Sequence, residues 1–430
     1  MAGDDKEQQL REKIASQKAA IDALPSLSSI VYETGITSPE TKARAQLIKE
    51  LSDNEEQLEL LIESKRVAAV VRLQDELHPP ESEDCPICLE TIKHVNSETV
   101  VRFYCCGGFT CTKCGKERID NSEIEGFDKM FRDKCPLCRE KMSGEFKKMR
   151  TKILEHANKG RAWAQFHIGR WYSNETGKEI GIPIDKEKGL HFLKQAADQR
   201  DSDAFLEMAK MSFTSPERDE TKRMYYLKEA ADLGNQIAQV LLADAFNRQK
   251  DDKGRLHYIT LAASQGDPNA LSNLGYLFMK GECGLARSLI LAKHYNGKSL
   301  KDTEKLAEIQ CQHFAYVFST VLFDLSCDQY EGFLGIPGHS PIPEVLFWAR
   351  RALEVEGNSL QEQETSNVID LISEIENKTK NHCANCRKEA GCSSLMRCSR
   401  CLGAWYCGKE CQVQHWKAGH KIDCFIFIRK

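Results

Sequence analysis

The sequence of 430 residues contains no run approaching the ~18 apolar residues that a membrane span needs, which excludes an integral membrane helix. It also has no excess of positive charge. Lys and Arg number 60 against 64 Asp and Glu, a formal net charge of −4, so nothing pulls the whole chain toward nucleic acid and no such partner is expected. The first residues, MAGDDKEQQL, are acidic and polar where a secretory signal has a basic segment and then an apolar stretch. An intracellular location, in cytoplasm or nucleus, is the expectation. The long middle of the chain has little cysteine: between Cys138 and Cys383 only Cys283, Cys311 and Cys327 occur. Disulfides are not expected in a reducing compartment, so the 19 cysteines serve metal ligation, catalysis or packing. Position decides among these. Eight fall between Cys85 and Cys138 and eight between Cys383 and Cys424, two clusters around a cysteine-poor middle.

A single hydrophobic core stops growing near ~150–250 residues, so a chain of this length holds several domains. Over residues 1–80 apolar positions recur at helical spacing, first Leu10, Ile14, Ile21 and Leu24, then Leu47, Leu51, Leu58 and Ile62. Two helices are predicted, with Pro25 between them, Ser38 and Pro39 starting the second, and Pro79 and Pro80 stopping it. Two readings of the second stand open: a short coiled coil for self-association, or a helix packed on the adjacent domain. Barely two heptads are present where three or four are wanted, which favours packing.

The middle region carries an internal repeat. A-x-x-x-I-G-x-x-Y at Ala164, Ile168, Gly169 and Tyr172 returns as A-x-x-x-L-G-x-x-F at Ala270, Leu274, Gly275 and Phe278, with weaker copies from Ala204 and Ala238. Behind the first three lies a second segment bearing an aromatic, Phe192, Tyr226 or Tyr258, and an alanine pair that ends at Ala197, Ala231 or Ala263. Each unit reads as two antiparallel helices in which small residues let backbones approach and the aromatic fills the gap between layers. No unit buries its apolar face alone, so the units stack into a right-handed solenoid with a groove. These residues resemble the Sel-one-like repeat of the tetratricopeptide superfamily, Asp185 and Lys188 matching its centre and Asp232 and Gly234 its close. The resemblance covers about 160–295 and implies a scaffold that binds a peptide or partner protein. After 295 the pattern diverges, LGIPGHSPIPE interrupts it, and a polar helix over about 358–380 leads to the second cluster.

The first cluster reads C-x2-C-x16-C-C-x4-C-x2-C-x20-C-x2-C, on Cys85, Cys88, Cys105, Cys106, Cys111, Cys114, Cys135 and Cys138. Zinc takes four thiolate or imidazole ligands at tetrahedral corners, and a C-x2-C pair on a tight turn places two sulfurs on one ion. Three such knuckles and an adjacent pair complete two sites. DCPICLE, CGGFTCTKC and CPLCRE resemble the knuckles of a RING domain. The resemblance implies a cross-brace, with Cys85, Cys88, Cys111 and Cys114 on one zinc and Cys105, Cys106, Cys135 and Cys138 on the other. The commoner pattern has histidine where this chain has Gly108, which cannot ligate, and Cys106 supplies the sulfur as in all-cysteine variants. RING domains generally hold a ubiquitin-conjugating enzyme and restrict its thioester-linked ubiquitin to a reactive geometry, which is catalysis by orientation. By matching position, Ile87, Pro136 and Leu137 are the candidate docking residues, and Arg139 occupies the place of the arginine whose fork bonds enzyme and ubiquitin together. The alternatives are that the apolar three only pack the knuckles and that Arg139 is a surface charge. No covalent catalytic residue is expected, because a thiolate on zinc is a poor free nucleophile.

The second cluster reads C-x2-C-x11-C-x2-C-x5-C-x3-C-x8-H-x3-C, on Cys383, Cys386, Cys398, Cys401, Cys407, Cys411, His420 and Cys424. The x3 pairs place ligands at i and i+4 on one helical face. YCGKECQVQHWKAGHKIDC resembles the MYND zinc finger, which implies Cys383, Cys386, Cys407 and Cys411 on one zinc and Cys398, Cys401, His420 and Cys424 on the other. His415 and Cys392 are rivals for ligation, read instead as a packed ring beside Trp416 and a spare thiol. Fingers of this family bind short proline-containing peptides, with Gln412 and Trp416 the candidate contacts. A core role for Trp416 is the alternative.

Fifteen cysteines and one histidine thus make sixteen ligands for four zinc ions. Closed tetrahedral sulfur sites in this order favour zinc over iron. The expected fold is mainly α: a helical-repeat solenoid over 155–357, flanked by cross-brace zinc domains at 81–145 and 381–426, with helical segments at 1–80 and 358–380. The expected function is a RING-type ubiquitin-protein ligase that recruits a ubiquitin-conjugating enzyme and selects protein substrates through repeats and finger. Its rival is a zinc-dependent scaffold or adaptor without ligase activity, since fold does not establish function.

Overall fold

The computed structural model describes residues 2–26, 29–30, 38–115, 134–141, 146–214, 219–303, 308–329, 340, 342–353, 362–386, 388–389, 395–421 and 424. Two compact units divide the chain: Met1–Ala68 with Pro268–Lys430, and Ala69–Asp267.

In the first unit, α1 (Ala2–Asp22) lies along α2 (Pro39–Leu77), whose last turns belong to the second unit. Ser38 Oγ accepts from the Thr41 N–H and starts α2. The pair is held by a buried polar contact, Asn54 Nδ2 donating to Gln17 Oε1 at 2.9 Å, and by Lys65 on Glu7 at 2.9 Å. The residues that α2 buries differ from its apolar register. Leu47, Leu51 and Leu58 are half-buried and Ile62 is exposed, whereas Glu63 is buried, accepting from the Tyr295 hydroxyl and from Arg66. Glu59 accepts from the Ser288 hydroxyl. The helix packs here on α11 (Leu289–Thr303), and the hydroxyls at Ser288 and Tyr295 select carboxylates over leucines. α10 (Pro268–Lys280) pairs with α11, followed by α12 (Glu308–Gln329), α13 (Ile342–Arg351) and α14 (Glu362–Thr379). Leu300, Phe318, Leu322, Val345, Leu346 and Ile375 form the common core of α11, α12, α13 and α14.

In the second unit, two two-stranded antiparallel sheets, β1 (Glu83–Asp84) with β2 (Thr91–Ile92) and β3 (Val100–Arg102) with β4 (Phe109–Cys111), precede α3 (Phe146–Asn158). Helix pairs then follow: α4 (Ala162–Ser173) with α5 (Lys186–Ala197), α6 (Ser202–Thr214) with α7 (Glu220–Asp232), and α8 (Gln236–Gln249) with α9 (Asp252–Ser264). The second helix of each pair begins on an aspartate, Asp185, Asp219 or Asp251, whose side chain accepts the backbone N–H three residues on. Ala164, Ala196, Ala204, Ala230, Ala238 and Ala262 are fully buried, as close helix approach requires. The aromatics close the layers, Tyr172 stacking on Phe192 at 6.3 Å and Phe246 on Tyr258 at 5.8 Å. The same stack recurs in the first unit between Phe278 and Tyr295 at 5.8 Å, so α10 and α11 are a fourth pair.

Candidate metal centres

Four groups of ligand atoms converge, each with all members within 4.8 Å of one another: Cys85, Cys88, Cys111 and Cys114; Cys105, Cys106, Cys135 and Cys138; Cys383, Cys386, Cys407 and Cys411; Cys398, Cys401, His420 and Cys424. Backbone geometry explains the convergence. Three of the C-x2-C turns close with the N–H of the fourth residue after the start donating back: Leu89 to Cys85, Arg139 to Cys135 and Leu402 to Cys398, at 2.8–3.0 Å. Those three residues are left-handed, at φ 61°, 63° and 52°. Gly107 makes the same turn on Phe103 at φ 75°, carrying Cys105 and Cys106.

The hairpins produce the cross-brace. In β3–β4 the turn carries Cys105 and Cys106 to one group while Cys111, paired with Val100 at the far end, serves the other. The finger repeats this plan. β5 (Met396–Arg397) and β6 (Trp405–Tyr406) enclose Cys398 and Cys401 in their turn and send Cys407 to the other group, and α15 (Lys409–His415) supplies Cys411.

The donor atoms fit zinc. Sulfur separations of 3.8 Å for Cys88–Cys111, 3.8 Å for Cys106–Cys135, 3.7 Å for Cys386–Cys407 and 3.9 Å for Cys398–Cys424 match the edge, about 3.8 Å, of a tetrahedron with Zn–S near 2.3 Å. They are far from the ~2.05 Å of a disulfide. Cys401 Sγ lies 3.7 Å from His420 Nε2, which assigns that nitrogen to the metal. Although burial opposes ionisation, backbone N–H groups hold the Cys85 thiol down at about 6 and that of Cys383 at about 7. Burial and neighbouring thiols push Cys105 and Cys114 up. Such crowding of negative charge is what a divalent cation relieves.

Of the rivals, His415 is buried, its Nδ1 3.0 Å from the Tyr406 hydroxyl and its ring stacked 4.8 Å from that of His420. It orders the ligand and does not converge with the donors. Cys392 lies outside the described residues. Ile87 is 52% exposed and Leu89 76%, Arg139 is exposed, and Pro136 and Leu137 are half-buried. Leu137 Cδ1 fills the space beside Gly108, where a Cβ would lie 2.5 Å from it. Gln412 and Trp416 stand one turn apart and half-buried, Trp416 packed on the finger's core beneath the Arg400 guanidinium at 5.3 Å.

Two contacts lie outside what ligand spacing encodes. Asp203 of α6 accepts from the Ser97 N–H (2.8 Å), the Ser97 hydroxyl (2.9 Å) and Asn235 Nδ2 (3.0 Å), tying the first cysteine module to the repeats. Arg102 of β3 lies between the rings of Phe109 and Trp163, 5.1 and 5.5 Å from their centres. Neither contact has a local sequence signature.

Comparison with known proteins agrees with this architecture. The family model for the MYND finger matches residues 383–424, and that for the Sel1 repeat matches 164–201, 206–235 and 268–295. The class defined by fold and sites is a zinc-dependent protein-interaction molecule. The chain carries a MYND finger, three Sel1 repeats and two further cysteine sites, and its cofactor is zinc at four sites. Among curated proteins, ubiquitin carboxyl-terminal hydrolase 16 of Arabidopsis thaliana is 44% identical over 43 residues, 10% of this chain and 4% of that protein. Ubiquitin carboxyl-terminal hydrolase 15 of the same plant is 34% identical over 56 residues, 13% of this chain and 6% of that protein. The chain therefore spans only a small part of these relatives. Among solved structures, c5321, a protective antigen of uropathogenic Escherichia coli with an SLR fold, aligns at 16% identity and TM-score 0.40, covering 55% of this chain and 50% of its own. A Sel1 repeat protein from Oxalobacter formigenes aligns at 16% identity and TM-score 0.35, covering 54% and 81%. Among the described residues no helix is long and apolar enough to cross a membrane.

Proposed function

We propose that this chain is a RING-type ubiquitin-protein ligase acting in cytoplasm or nucleus. The observation that carries the reading is Ile87, an isoleucine held half in solvent on a rigid metal knuckle and followed by the still more exposed Leu89. Burying such surface against a conjugating enzyme is favourable by about 25 cal/mol per Å². Pro136 and Leu137 supply the rest of the docking patch, and Arg139, exposed on the last knuckle, offers its planar fork to enzyme and ubiquitin. The Sel1 repeats select the protein substrate, and Gln412 and Trp416 of the finger contact proline-containing peptides. The protein performs no covalent step and works by orientation.

A ubiquitination assay with a panel of conjugating enzymes tests this. Wild type is expected to build ubiquitin chains, while Ile87→Ala and Arg139→Ala lose most activity at unchanged zinc content. Absence of activity with every enzyme, at four bound zinc ions, contradicts the proposal and selects the scaffold reading. That second reading draws on Leu137, whose contact with Gly108 is internal packing.

A further inference from the structure

The second metal site of the finger is braced from outside the finger. Arg350 of α13 donates through Nη1 to the Cys401 carbonyl (3.1 Å) and through Nη2 to the Leu402 carbonyl (3.2 Å) and to Glu376 Oε1 (2.8 Å) of α14. Arg397 of β5 donates to two of the same acceptors, Nε to Leu402 at 2.9 Å and Nη2 to Glu376 at 2.7 Å. The fit is close on the other side of the turn. A Cβ at Gly403 would lie 3.1 Å from Leu346 Cδ1 and 3.2 Å from Pro343 Cα.

In the closed Cys398–Cys401 turn, to which the left-handed Leu402 at φ 52° belongs, a single guanidinium spans two consecutive carbonyls. Charge points the same way. Three thiolates and a neutral imidazole on a divalent ion sum to −1, and Arg350 and Arg397 with Glu376 between them sum to +1. Outer groups that orient ligands commonly alter metal affinity about 10–100-fold.

We propose that Arg350 and Glu376 are positioning residues of the Cys398, Cys401, His420 and Cys424 zinc site, so that this ion and the α13–α14 pair order together. The inference rests on zinc occupancy and not on ligase activity. The test uses the full-length zinc-loaded protein, with metal release followed by the chromogenic chelator pyridylazoresorcinol and backbone order by hydrogen exchange. Arg350→Met is expected to hold one of the four ions about 10–100-fold more weakly, read as faster transfer to the chelator, and to release the other three at wild-type rates. Arg350→Lys, which restores charge without the fork, is expected to fall between. Cys424→Ser, which removes a ligand and leaves the arginines in place, is expected to lose exchange protection over 342–351 and 362–379 while 186–264 keeps it. Wild-type release of all four ions from Arg350→Met overturns the positioning role. Unchanged protection of α13 and α14 in Cys424→Ser overturns the coupling.

Discussion

Cys106 supplies a sulfur that position 108 cannot, and the Gly108 N–H donates to that sulfur at 3.4 Å. Cys106→Ser is therefore expected to bind three zinc ions where the wild type binds four, measured as metal content after gel filtration; four ions in the variant would show that Cys106 is not a ligand. Asp201 makes a different kind of prediction. Burial first, and then the charge of Asp203, hold its carboxyl up at about 7 against the usual 3.8. The folded state thus binds this proton more tightly than the unfolded chain, and the stability it gives is present below about pH 4 and lost as the pH rises to about 7. Asp201→Asn keeps the acceptor used by the Ala204 N–H and removes the charge. It is expected to be more stable than wild type at pH 8, by at most about 4 kcal/mol at about 1.4 kcal/mol per pKa unit, and alike at pH 4, by urea denaturation at both. A variant less stable at pH 8 would contradict this.

Among elements, the knuckles and repeats were legible because each is specified by neighbouring residues. The C-x2-C pairs at Cys85, Cys135 and Cys398 read directly into closed turns, and the buried alanines and stacked aromatics stand where the repeat pattern puts them. The α10–α11 pair is legible only by half, because its second helix keeps His294 and Tyr295 but carries Ser299 and Leu300 where the other units have two alanines. The buried face of α2 was not legible. Its partners are hydroxyls more than two hundred residues away, and no local spacing encodes them. The latch on Asp203 was hidden for the same reason. Asn235 is its most testable member, fully buried, donating to Asp203 and accepting from the Ala238 N–H at 3.0 Å. Asn235→Ala removes a helix cap and leaves Asp203 short of a donor, so a loss of about 1–3 kcal/mol is expected in denaturant unfolding. A loss below a few tenths would show that the latch carries no load.

For the whole molecule, zinc divides what metal supports from what packing supports. Structural zinc contributes on the order of 10 kcal/mol per site, whereas the helices from Ala162 to Ser264 hold one another through buried alanines, leucines and aromatics. Chelation is expected to abolish exchange protection in the β-hairpins of both cysteine modules while leaving protection over 162–264. Uniform loss along the chain would mean that the repeats depend on metal too. Two cross-braced modules, each closed around two zinc ions, share one chain with the Sel1 repeats. Native mass spectrometry of the intact protein tests it most directly. A dominant species with four zinc ions per chain, falling to two on loss of either module's ligands, is expected; a saturated species with two or three ions would contradict this.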